Sequence, residues 1–135
     1  MGTIKRMLRT VAHIAVLSLA WSVVANAQAG SGQPGVATFL SAVNSVNDEL
    51  KALAAEKSIS AHDIHAVSVE RITNAGNTGA ISKAIAKNSA QITLLRDALK
   101  NNQTIMTALA AAGVSVNQVV AIDVEPGSTI HIFYQ

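Results

Sequence analysis

His62-Asp63-Ile64-His65 is the one place where this sequence gathers ligand-type side chains. Two imidazoles and a carboxylate suit zinc, copper or nickel. His131 could join them if the strand containing His65 pairs beside the last one. The spacing argues against a shared ion. His62 and His65 straddle a loop-to-strand boundary, so nothing forces their side chains to converge. On a strand beginning at Ile64, His65 points with Val67 and Val69, whereas His131 points away from the core. The expectation is no metal site and no cofactor, with His62, Asp63 and His65 the residues that would contribute if one formed.

The carboxylates offer one further arrangement. Asp123 and Glu125 alternate along a strand near a turn, and His131 falls opposite Asp123 in a hairpin. A carboxylate–imidazole pair can move protons, although exposed cross-strand pairs of this kind are ordinary surface features. No Gly-x-Ser-x-Gly elbow is present, and no Ser-x-x-Lys stands beside a plausible base. Gly76-x-x-Gly79 precedes a helix but lacks the lysine of a phosphate loop, so it reads as a capping loop. A small hydrolase or isomerase using Asp123 and His131 is therefore the weakest functional reading.

The elements that hold these residues follow an export signal. Lys5, Arg6 and Arg9 precede an apolar run from Val11 to Val24, and Ala25-Asn26-Ala27 supplies the small residues a signal peptidase reads. Residues 1–27 are expected to be removed, in a periplasmic or secreted protein beginning at Gln28. The run is shorter than the ~20 residues of a spanning helix, which favours cleavage over retention as an anchor. The signal also explains the charge. The chain is +2 overall with ten Lys/Arg and eight Asp/Glu. Three basic residues lie in the signal, so seven remain against eight acids, a net of −1. That balance, with 3% aromatic residues, excludes a basic or stacking surface for nucleic acid. The chain has no Cys, so its stability must come from packing alone.

Residues 28–35 read as a flexible linker, Gln-Ala-Gly-Ser-Gly-Gln-Pro-Gly, and 36–135 as one domain. Val36, Phe39, Leu40, Val43, Val46, Leu50 and Leu53 recur at helical spacing and predict one helix to about Lys57. Ile64 to Thr73 reads as a strand. A second long helix is predicted from Ala80 to Lys100, with Ile81, Ile85, Asn88, Ile92, Leu95 and Leu99 on its buried stripe. A shorter helix, Gln103 to Ala112, should close at Gly113 with Val114 touching Leu109.

Val119–Glu125 and Thr129–Tyr134 flank Pro126-Gly127 as a hairpin. A three-residue loop would place Val124 opposite Ile130, Ile122 opposite Ile132 and Val120 opposite Tyr134, gathering the apolar set on one side. The uncharged stretch from Ile105 to Ile122 is long enough for a membrane span. Its Gly113, Ser115, Asn117 and Gln118 argue against one.

The resulting fold is a small α+β domain: helix, strand, two helices and a β-hairpin, with a three-stranded antiparallel sheet and helices on one face. Without a catalytic constellation, the leading function is a non-catalytic exported module that binds a protein or peptide in the envelope, or itself. Two surfaces are candidates: the first helix, through Phe39, Leu40 and Val43, and the C-terminal strand edge beside Phe133. The alternative is a periplasmic metal- or small-ligand-binding protein.

Overall fold

The computed structural model describes residues 34–135, a small α+β domain of six helices and a three-stranded mixed sheet. The expected signal, its expected cleavage site and all of the expected linker before Pro34 lie outside the described residues. The helices are α1 (Val36–Asn44), α2 (Val46–Ala55), α3 (Val69–Ile72), α4 (Thr78–Lys87), α5 (Ser89–Lys100) and α6 (Gln103–Ala111). The strands are β1 (Ile64–Ser68), β2 (Val119–Val124) and β3 (Ile130–Tyr134).

Each of the two long predicted helices is broken once, at a polar residue that bonds back to its own helix. Asn44 Nδ2 donates to Leu40 O at 2.7 Å and Ser45 Oγ to Ser41 O at 2.6 Å. Such bonds compete with the backbone ladder, and Ser45 leaves helical geometry at φ −121°, ψ 27°. Asn88 does the same between α4 and α5, donating from Nδ2 to Ala84 O at 2.9 Å. It also donates to Asn44 Oδ1 at 3.0 Å. The two breaks are therefore joined: α1 packs on α4, α2 packs on α5, and one asparagine pair links the bends.

The predicted strand is also shorter than its apolar alternation implied. Past Ser68 the chain makes one helical turn, so Val69 and Ile72 share the buried side at i, i+3 spacing while Glu70 and Arg71 are exposed. Continuing the strand would have carried Glu70 onto the face of Ile64 and Ala66. The C-terminus of α6 closes as expected. Gly113 adopts φ 72°, its N–H donates to Ala110 O, and the Val114 N–H donates to Leu109 O at 2.9 Å. Both bonds belong to the left-handed closure that glycine adopts without strain.

In the hairpin, Val124 pairs with Ile130, Asp123 with His131 and Ile122 with Ile132. The Glu125 N–H donates to Thr129 O, leaving Pro126, Gly127 and Ser128 as the three-residue loop, with Gly127 at φ 103° and Ser128 at φ 73°. Val120 does not face Tyr134. A bulge shifts the register so that Val119 pairs with Tyr134 and Ala121 with Phe133. The extra residue turns Val120 into a second apolar cluster, where it is buried.

Two further expectations are corrected. The strand order is β1-β3-β2 and β1 runs parallel to β3, so the sheet is mixed rather than antiparallel. A tight turn dictates the direction of β2 against β3, but β1 reaches β3 through a long helical crossover that imposes no such constraint. Helices also cover both faces of the sheet. Ile122, Ile130 and Ile132 pack with Leu53, Leu95, Leu99, Ile105 and Leu109 of α2, α5 and α6. On the opposite face, Val67, Ala121 and Phe133 pack with Phe39, Val43, Ile81, Ala84 and Ile92 of α1, α4 and α5. The rings of Phe39 and Phe133 meet edge to face at 5.4 Å. Among the described residues no helix is long and apolar enough to cross a membrane, and Ile105–Ile122 divides between α6, a short turn and β2.

Candidate functional site

The face of the sheet that carries Phe133 is sealed at one end and polar at the other. Two residues before Phe133, on the same side of β3, stands His131, paired with His65 of β1 and with Asp123 of β2. His65 and His131 therefore share a face, contrary to the expectation that they diverge. The parallel register aligns them directly, and their rings lie 5.6 Å apart between centroids with a tilt of 30°. His65 is exposed, whereas the His131 side chain is only 14% exposed. His131 Nε2 is 3.3 Å from Glu125 Oε1, and its Nδ1 is buried with no hydrogen-bond partner among the described residues.

Carboxylates lie on the β2 side of this pair. Asp123 flanks His131 on β2, and Glu49 approaches from α2, its Oε2 accepting the Val124 N–H at 2.8 Å. Partial burial raises the Glu49 carboxyl above its ordinary range. The Val124 N–H opposes that rise, and the charges of Asp123 and Asp48 add to it. Asp123 is raised chiefly by burial and then by Glu125, with His131 pulling it down. The arrangement can hold a proton or attract a cation. Among the described residues no Ser or Thr hydroxyl hydrogen-bonds to a histidine, and the Ser128 hydroxyl donates to Glu56.

The other predicted site residues are placed apart from it. His62 is exposed on the turn before β1. Asp63 caps that turn, accepting the Ser60 N–H at 3.2 Å while Ser60 Oγ accepts the His62 N–H. Among the described residues no group of three His, Asp or Glu side chains stands around one point as a metal cage. The Gly76–Gly79 loop is an asparagine-stapled turn. Asn77 Oδ1 accepts the Asn74 N–H and Asn74 Oδ1 accepts the Gly76 N–H. A cleft of about 270 Å³ between α3, α4 and the C-terminus includes Thr73 and Thr78, but both hydroxyls are committed to backbone carbonyls.

The interaction candidates change most. Phe39, Val43 and Phe133 are fully buried, and Leu40 is half-buried against the same cluster, so they are core residues with little surface to offer. The C-terminal strand is the centre of the sheet, flanked on both sides. The sheet's two true edges are β2 and β1, and they are treated differently. The β2 edge is capped by side chains, since Glu49 accepts from Val124 and Arg96 Nε donates to Val119 O at 2.7 Å. Among the described residues no side chain hydrogen-bonds to the backbone of β1, Ile64-His65-Ala66-Val67-Ser68. The missed signal lay in Glu49 and Arg96, charged residues beside buried stripes, where they can reach an edge strand. Compared with family models, curated proteins and solved structures, the chain matches none.

Proposed function

We propose that this chain is an exported, non-catalytic interaction module that takes an extended peptide segment of an envelope partner onto the outer edge of β1. The observation that carries the reading is the contrast between the edges. β2 has both a donor and an acceptor satisfied by charged side chains, while among the described residues β1 has no such cap, and it contains no Lys, Arg or Pro to discourage pairing. Strand addition draws its affinity from backbone hydrogen bonds and its selectivity from side chains on alternate positions. On β1 the alternate positions are unlike: His65 is exposed and Ala66 and Ser68 are half-buried. Export rests on residues 1–27, and intact-mass analysis of protein recovered from the envelope should find a chain starting at Gln28.

A photocrosslinker at Ser68, with one at exposed Ala110 on α6 as control, tests the edge. The expected outcome is a discrete adduct from Ser68 alone. N–H groups alternate sides along a strand, so one of His65→Pro and Ala66→Pro removes an outward donor and the other breaks the ladder to β3. The first kind should remain folded and lose the adduct. Equal adducts from both crosslinker positions, or none, would contradict the reading.

A further inference from the structure

We propose that His65 and His131 form a two-imidazole site for a borderline divalent cation, Cu²⁺ before Zn²⁺, with Glu125 as the adjoining carboxylate and water completing the shell. Distances carry the argument. A ring centroid sits about 3.1 Å from a metal bound through its nitrogen, so two imidazoles on one ion have centroids at most about 6.3 Å apart. The observed 5.6 Å satisfies that limit with no movement of the backbone. Two donors about 2.0–2.1 Å from one ion at a tetrahedral angle are about 3.3–3.4 Å from each other. His131 Nε2 and Glu125 Oε1 stand 3.3 Å apart. The separation of these two donors is the one an ion bound by both requires.

As placed, no three of these groups surround one point among the described residues, and His65 is the member free to adjust. Its ring is exposed and can turn about its side-chain bonds, and the parallel register holds its Cα directly beside that of His131. The field favours a cation. Asp123 and Glu125, from β2 and its turn, lie beside His131, and no Lys or Arg side chain is hydrogen-bonded to either among the described residues. Imidazole donors select Cu²⁺, Ni²⁺ or Zn²⁺ over Mg²⁺ or Ca²⁺, and Cu²⁺ heads the usual affinity order. His62, on the preceding turn, takes no part.

The test titrates the protein as isolated with Cu²⁺ alone, and separately with Zn²⁺, in metal-free buffer, followed by calorimetry and by broadening of the imidazole NMR signals. One Cu²⁺ per chain is expected, with His65 and His131 broadened first. His65→Ala should weaken binding at least about tenfold, the lower end of what losing even a supporting group costs. Glu125→Gln should weaken it without altering the fold, which covers the case in which His131→Ala destabilises the sheet. His62→Ala should leave binding unchanged. No stoichiometric binding, binding indifferent to His65→Ala, or binding lost with His62→Ala would each overturn the site.

Discussion

Glu49 shows how one side chain can serve two purposes at a cost. It caps the β2 edge through the Val124 N–H, yet its carboxylate is partly desolvated beside Asp123. Both carboxyls are raised above their ordinary values of 4.5 and 3.8, so the folded chain binds protons more readily than the unfolded one. Their contribution to stability is greatest at low pH and declines as pH climbs past those values and the folded groups ionise. Glu49→Gln keeps an acceptor for Val124 and removes the charge. Its denaturation midpoint relative to wild type should therefore rise as pH is raised from 4 toward 7. Glu49→Ala strands the N–H and should cost about 1 kcal/mol, read by urea melts at pH 7. The Asp123–His131 pairing was legible because burial of Ile122, Val124, Ile130 and Ile132 demands an odd-length loop. The His65–His131 pairing was not, since no residue near His65 specifies which strand it will join.

At the level of elements, apolar periodicity located the helices and polar residues divided them. Ile81, Ile92, Leu95 and Leu99 are buried as their spacing implies, because a stripe of this kind has only one face to hide. Leu95 is completely buried among α2, α5, α6 and the sheet. Leu95→Ala should cost ~2–5 kcal/mol by chemical denaturation, and an unchanged midpoint would show that the site collapses without loss. The break at Asn88 could not be read from the stripe, because its partner, Asn44, is remote in sequence and meets it only after folding. Gly113 was legible, as only a closing helix places glycine between a polar-free turn and a buried valine. Gly113→Ala forces a β-carbon into φ 72° and should cost about 1 kcal/mol, with no clash to add since the space around it is open.

Among the described residues the parts are arranged so that a three-stranded sheet is covered on both faces, with side chains capping the β2 edge and none capping the β1 edge. The α+β class follows from the mix of helical and alternating patterns. The sheet's direction and the second helical layer depend on contacts between distant segments, which no local pattern encodes. That is also why Phe39 and Phe133 read as surface candidates: Phe39 lies on a stripe with no local sign of what covers it, Phe133 lies on the opposite side of its strand from Ile130 and Ile132, and the two rings meet only after folding. With those residues in the core, the proposed recognition rests on β1. Residue-resolved amide exchange tests it most directly, comparing the protein alone with the protein mixed with an envelope extract, where the proposed partner would be found. Protection should increase at outward amides within Ile64–Ser68 and stay unchanged along Val119–Val124. Protection that appears elsewhere and leaves β1 unaltered would contradict recognition through this edge.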